Sequence, residues 1–226
     1  MRLVVVSGTG TGIGKTFITS ALVRLLGDRV RCVGWKPIET GVDEPPGDDF
    51  RRLHEASGFH VKQSKFPALY ALRMAAAPSL AARREGRAVD FQRIRDCLNL
   101  ACSGRGVVCL ETAGGLYSPL TDHAVNADLV RHLAPDVHVL VAPNRLGVLH
   151  DVLSTVRAAS ADGTRIDGVI LNQVDRESPS LEHASELQRH LVIPVWGPIP
   201  NLGSPPDELS AFGPILGFLL PALEPA

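Results

Sequence analysis

The chain has 226 residues, of which 45% are apolar, and a formal net charge of −1. This length and apolar content suit a single α/β domain spanning 1–226, and a balanced charge without a basic block argues against nucleic acid as a partner. No apolar stretch reaches membrane-spanning length uninterrupted, and the N-terminus enters a strand directly without the regions of a signal peptide, so a cytoplasmic protein without a membrane partner is expected.

The first predicted element is a buried strand over 3–7, which runs into Gly8-Thr9-Gly10-Thr11-Gly12-Ile13-Gly14-Lys15-Thr16. A strand, a glycine-rich turn and Gly-Lys-Thr opening a helix make a phosphate-binding P-loop, in which curled backbone N–H groups and a helix N-terminus face an anion. Lys15 then reaches the outer phosphates, and the Thr16 hydroxyl can ligate Mg2+. Five residues separate Gly8 from Gly14, one more than in the common pattern. The following helix is predicted from about residue 15 to 26, with Ile18, Leu22, Leu25 and Leu26 on one face and Gly27 as its stop.

A second strand over 30–35 leads into Lys36-Pro37-Ile38-Glu39-Thr40-Gly41. Lys36 therefore emerges beside the P-loop, where an ammonium can neutralise charge on a transferring phosphoryl group. A surface loop covers 42–49, and helices are predicted at 49–56, 78–85 and 90–101. The strand over 106–110 closes with Glu111, ahead of the flexible turn Thr112-Ala113-Gly114-Gly115. Helices at 126–133, 149–161 and 180–190 alternate with strands at 137–142, 166–171 and 192–197. The proline-rich stretch 198–206, with Gly213-Pro214, reads as loops closing over the sheet edge, and the apolar residues that follow read as a packed final helix.

None of the strands alternates polar and apolar residues, so each is buried on both faces and the sheet is mainly parallel. Helices between such strands give a doubly wound, P-loop NTPase-like α/β fold with helices on both faces, whose ligands sit at the carboxyl ends of the strands. At those ends Thr16, Glu111 and either Asp49 or its neighbour Asp48 could hold Mg2+ on a nucleotide, although an aspartate there equally suits a helix cap. Asn172 can offer a donor and an acceptor to a purine edge, or cap a loop. The four cysteines, Cys32, Cys97, Cys102 and Cys109, form no Cys-x-x-Cys and read as packed thiols in a reducing compartment. The eight histidines show no metal-ligand spacing, and Trp35, Trp196 and Tyr117 read as packing residues.

Taken together, the P-loop, Lys36-Pro37-Ile38-Glu39-Thr40-Gly41, Asp49, Ala77-Pro78, Glu111 to Leu116, Ser118-Pro119-Leu120, Leu146-Gly147, Asn172 and Gly197-Pro198-Ile199-Pro200 resemble the dethiobiotin synthetase family. The resemblance implies an ATP- and Mg2+-dependent ring closure on 7,8-diaminononanoate and CO2, catalysed by a homodimer. It implies catalytic roles for Lys15, Lys36 and Thr11, and places the nucleotide against Gly12, Ile13, Gly14, Lys15, Thr16, Phe17, Asp49, Glu111, Thr112, Ala113 and Gly114. Asn172, Gln173, Pro200, Asn201, Leu202 and Asp207 would surround the adenosine. Thr40 and the helix start Leu146, Gly147, Val148, Leu149 and His150 would receive the diamine, the latter across the dimer interface. Mg2+ falls to Thr16, Asp49 and Glu111. Thr112 departs from the family pattern, which has a glycine after the glutamate, and Ser79 stands where a histidine is common.

Two other readings share the fold. A ParA/MinD-like switch ATPase carries a signature lysine at the position of Gly10 and a basic or amphipathic binding surface, both missing here. A cobyrinate-type amidating synthase needs an added glutaminase domain, for which the chain has no room.

Overall fold

Parallel strand pairing organises the chain in a computed structural model that describes residues 1–58, 66–101, 106–173, 182–200 and 209–223. The principal sheet has six strands: β1 (Arg2–Gly8), β2 (Cys32–Trp35), β5 (Val107–Glu111), β6 (Val137–Pro143), β7 (Gly168–Gln173) and β8 (Val195–Pro200). Their order is β2-β5-β1-β6-β7-β8, all in parallel. Two short strands, β3 (Ile38–Thr40) and β4 (Tyr70–Leu72), form a separate parallel pair. The pattern of alternating elements is the doubly wound α/β fold expected from the apolar runs.

The strands are apolar on both faces because helices cover both. Val4 and Val6 of β1 pack with Ile18 and Leu22 of α1 (Lys15–Gly27) and with Phe212, Ile215 and Leu219 of α8 (Leu209–Leu223). Leu3 and Val5, pointing the other way, pack with Ile94 and Leu98 of α4 (Phe91–Ala101) and Leu129 and Val130 of α5 (Asn126–Leu133). The same layer takes Val152 of α6 (Val148–Asp162) and Leu187 of α7 (His183–His190). The two remaining helices, α2 (Asp48–Ala56) and α3 (Pro78–Arg84), follow β3 and β4. Asp90 starts α4 as expected, its Oδ1 accepting from the Gln92 N–H at 2.8 Å.

Three local expectations are corrected. Gly213-Pro214 is not loop: both lie inside α8. Phe212, Ile215, Leu216, Leu219 and Leu223 make one buried stripe at helical spacing, and that burial outweighs the roughly 3 kcal/mol that an interior proline costs a helix. Pro198, Ile199 and Pro200, also expected as loop, complete β8. The segment after β2, where no element was expected, contains β3, which at three residues is too short for any periodicity to show. The helix start expected near residue 180 lies outside the described residues, as does Cys102. Cys32 and Cys109 are buried free thiols on adjacent strands, and Cys97 is free and partly buried. Trp35 is fully buried against Phe66, and Trp196 packs on Phe218, but Tyr117 is a surface residue whose hydroxyl donates to Asp162. No helix among the described residues is long and apolar enough to cross a membrane.

His138 stands in the middle of β6 with no exposed surface. Its Nε2 lies 2.7 Å from the Ser7 hydroxyl and its Nδ1 lies 2.5 Å from the Arg165 carbonyl. The neutral ring satisfies both contacts, donating from Nδ1 and accepting at Nε2. Burial pushes its pKa from 6.5 down to about 4, against the pull of the Arg165 carbonyl. The unfolded chain therefore takes up this proton first as the pH falls. The contribution to stability is complete above pH 6.5 and is lost as the pH falls through about 4. Melting temperature should accordingly fall between pH 6.5 and 4, and His138→Gln should flatten that fall while melting lower at pH 8. An unchanged slope in the variant would assign the acid sensitivity to other groups.

Candidate active site

The sheet register builds the site. Trp35 of β2 pairs with Leu110 of β5, so the next residues, Lys36 and Glu111, leave the sheet side by side. Val6 of β1 pairs with Glu111, which brings the P-loop to the same edge. Glu111 is buried and Lys36 nearly so. Lys36 Nζ donates to Glu111 Oε1 at 2.7 Å and to Asp49 Oδ2 at 2.5 Å. The Thr16 hydroxyl donates to the same Glu111 Oε1 at 2.9 Å. Four predicted residues from four segments thus meet within hydrogen-bonding distance.

The paired aspartates differ in direction. Asp49 turns inward to Lys36, whereas Asp48 pairs with Arg51 at 2.6 Å on the surface. Neither caps α2, although an aspartate at that place suits a helix cap. The N-cap residue is Gly47, and the acceptor for the first-turn N–H groups is the Glu39 carboxylate, reaching Asp49 N at 2.9 Å and Phe50 N at 3.0 Å.

The two lysines differ electrostatically. Burial pulls the Lys36 ammonium down, but Glu111 and Asp49 more than compensate and hold it well above the usual lysine range. Burial of Lys15 is less well compensated, and its pKa falls to about 8 despite the attraction of Glu111. Lys36 in turn outweighs the burial of Asp49 and keeps its carboxyl below the usual range. Lys15 Nζ bonds the Gly10 carbonyl at 2.6 Å, within the P-loop itself. That loop takes its curl from Gly12 and Gly14, at φ +71° and +84°, which L side chains rarely adopt.

Around these groups lies a cavity of about 1010 Å3. Its wall includes Thr11, Gly12, Gly14, Lys15, Thr16, Phe17, Lys36, Thr40, Asp49, Glu111, Ala113 and Gly114, all named from the sequence. Ile13 and Thr112 are buried behind that wall. Ser118, named in the Ser118-Pro119-Leu120 motif, also lines it, but the sequence did not single out Ser20, Arg24, Arg52 and Glu55 on α1 and α2, nor Ala75 and Ala76, which do so too. The turn after Glu111 is fixed from behind: Asn126 Nδ2 donates to the carbonyls of Ala113 and Gly115, and Ser118 Oγ accepts the Gly115 N–H. Asn126 is a structural residue that nothing in its local sequence announces.

Other predicted residues lie apart. Asn172 Nδ2 donates to the Ile13 carbonyl at 2.9 Å, so its donor supports the P-loop, while its Oδ1 is buried without a partner. Gln173 Oε1 accepts from Asn144, and Pro200 ends β8. Asn201, Leu202 and Asp207 lie outside the described residues. Leu146, Gly147, Val148, Leu149 and His150 do not line the cavity of their own chain. Gly147 is the N-cap of α6 and Leu146 is 85% exposed, but the Val148 N–H already donates to the Arg145 carbonyl. That N–H cannot serve as a free anion donor, so any carboxylate there would meet the first-turn N–H groups of Leu149 and His150.

A parallel sheet with a glycine-rich loop, lysine and hydroxyl at the carboxyl end of its central strand defines a P-loop α/β protein. A family model described as an AAA domain matches residues 2–205. Over 209 residues the chain is 37% identical to the ATP-dependent dethiobiotin synthetase BioD of Rhodopirellula baltica, covering 84% of this chain and 80% of that one. It is 34% identical to the enzyme of the same name from Aromatoleum aromaticum, over 91% and 93% of the two chains. The chain belongs to the dethiobiotin synthetase family, whose members are ATP-dependent ligases. Solved structures similar in fold include the MinC:MinD cell division protein complex of Aquifex aeolicus, at TM-score 0.51 and 12% identity over 86% of this chain and 79% of that one. The signal recognition particle receptor FtsY from Elizabethkingia anophelis matches at TM-score 0.50 and 15% identity, over 86% of this chain and 57% of that one.

Lys36 is the charge partner of Glu111, a carboxylate with no exposed side-chain surface. Lys36→Ala should therefore destabilise the protein by about 3–5 kcal/mol, as is usual when one member of a buried pair is removed. Adding Glu111→Gln should restore much of the loss, because the amide needs no counter-charge and can still accept from Thr16. Chemical denaturation of the single and double variants checks this, and strictly additive losses would contradict it.

Proposed function

We propose that this chain closes a ureido ring, converting 7,8-diaminononanoate, CO2 and ATP into dethiobiotin, ADP and phosphate. The observation that carries the reading is the convergence of two ammonium groups, Lys15 and Lys36, on a P-loop cavity that continues past the phosphate site to Thr40 and Ala75. A nucleotide site alone would not need that further room.

In this reading an amine of the substrate takes up CO2 and loses a proton, giving a carbamate. A carbamate oxygen attacks the γ-phosphorus, breaking its bond to the bridging oxygen and releasing ADP. The second amine then attacks the carbonyl carbon of the mixed anhydride, loses its proton and expels phosphate. The P-loop N–H groups and Lys15 hold the phosphates, and Lys36 lies where an ammonium steadies charge on the carbamate and the transferring phosphoryl group. Thr11 and Thr40 face the diamine, whose two reacting ends must be held in one orientation for the ring to close.

The donor set fits Mg2+. Thr16, Asp49 and Glu111 offer only oxygen, and Glu111 Oε2 is buried without a hydrogen-bond partner. Two carboxylates and a hydroxyl suit a cation that keeps waters and phosphate oxygens as its other ligands. When bound, Mg2+ would neutralise charge on the phosphates. The adenosine is assigned to Asn172, Gln173, Pro200, Asn201, Leu202 and Asp207.

The Leu146–His150 turn is assigned to the substrate carboxylate of a neighbouring subunit, since it does not line its own cavity and begins a helix. The working form is then a cytoplasmic homodimer, each chain acting as one domain over 1–226.

Phosphate release should require nucleotide, bicarbonate and diaminononanoate together. Release without the diamine would instead indicate a switch ATPase. Asp49→Asn should raise the Mg2+ requirement far more than Asp48→Asn, whose partner is surface Arg51; the opposite order would remove Asp49 from the metal site. Specific activity should fall on dilution together with the dimer fraction measured by light scattering, and full activity in a monomer would refute the shared site.

A further inference from the structure

Helix α2 begins without help from its own first residues. Its N-cap, Gly47, has no side chain to offer, Asp48 is turned to Arg51 and Asp49 to Lys36. First-turn N–H groups have no intrahelical partner, yet those of Asp49 and Phe50 are both taken, at 2.9 and 3.0 Å, by the two oxygens of Glu39. A carboxylate in that place also meets the positive end of the helix dipole.

Glu39 lies on β3, three residues beyond Lys36. One short segment therefore holds Asp49 twice. Lys36 binds its carboxylate, and Glu39 binds its backbone N–H. The seat is tight. A Cβ on Gly47 would come within 2.2 Å of Glu39 Cδ and within 2.3 and 2.5 Å of its oxygens. Glycine is needed at 47 for space alone, since φ −62° and ψ 167° are open to any residue.

We propose that Glu39 is a positioning residue for metal binding: by holding the first turn of α2 it fixes the Asp49 carboxylate at the cavity and so sets the affinity for nucleotide-bound Mg2+. The inference rests on Asp49 being a Mg2+ ligand, as argued above. Groups that orient a metal ligand typically change metal affinity by about 10- to 100-fold when removed. A simple helix cap would change stability and leave the metal alone.

The test is ATP binding by calorimetry across a Mg2+ titration, with melting temperatures beside it. Glu39→Ala should raise the half-saturating Mg2+ concentration by about 10- to 100-fold and leave the metal-free ATP affinity unchanged. Glu39→Gln, which keeps one acceptor at the same reach, should recover part of the loss. Gly47→Ala should reproduce Glu39→Ala by expelling the carboxylate, and should add nothing in a Glu39→Ala background, because both changes break one contact. Variants that melt lower but keep the wild-type Mg2+ dependence would overturn the inference, as would additive effects at positions 39 and 47. Asp49→Asn separates the two readings. If it raises the Mg2+ requirement and the Glu39 variants do not, only the positioning role fails. If it has no effect, the metal assignment fails and takes the inference with it.

Discussion

The site depends on one ammonium group. Lys36 is nearly buried, and a lysine in that setting persists as a cation only where opposite charge offsets its lost hydration. Glu111 and Asp49 supply that charge from β5 and α2. The pairing ties together three segments that are remote in sequence, and it does so at the edge where the P-loop arrives. Removing any one member leaves the others desolvated and mispaired, so the geometry of the phosphate site and the stability of the sheet edge are the same problem. Register is what makes this possible. Because Trp35 faces Leu110 and Val6 faces Glu111, a slip by one residue in either pairing would carry the lysine or the P-loop away from the carboxylate.

Beside this paired ammonium, Lys15 is under-compensated. It is buried beside the same carboxylates, yet its near neighbour in the P-loop is only the Gly10 carbonyl, and its pKa falls to about 8. A cation held without a full counter-charge is what an anion site requires. Phosphate binding would supply the missing charge, whereas an anion approaching Lys36 must share it with two carboxylates. The two lysines therefore differ in what they can offer: Lys15 has charge left to compensate, and Lys36 is held in one direction by two carboxylates.

Most of this frame is legible in the sequence because it is written in local pattern. Unalternating apolar runs gave the parallel strands, and glycine spacing before Lys15 gave the loop. Strand ends marked Lys36 and Glu111. What stayed hidden depends on distance or on tertiary burial. Asp48 and Asp49 are indistinguishable neighbours until the start of α2 is oriented, and that orientation comes from Glu39. Asn126 holds the turn after Glu111 from a helix that follows it. Helix α8 keeps Pro214 inside because five apolar side chains find a face of the sheet waiting, which local propensity cannot register. Strands of three residues, β3 and β4, carry too little pattern to be seen at all.

These hidden contacts share a logic. Three segments that carry cavity-facing residues are each held through their backbone by a side chain from another element. Asn126 grips the backbone of the Ala113 turn, Asn172 grips the P-loop through Ile13, and Glu39 grips the start of α2. Each grip falls on backbone N–H or C=O groups, so it positions a segment without consuming the side chains that meet ligand. The P-loop adds glycines of its own, Gly12 and Gly14 taking positive φ. The carboxylate side of the cavity is thus braced from behind, with Lys36 held between Glu111 and Asp49, whereas on the loop side Lys15 rests on a single carbonyl, that of Gly10.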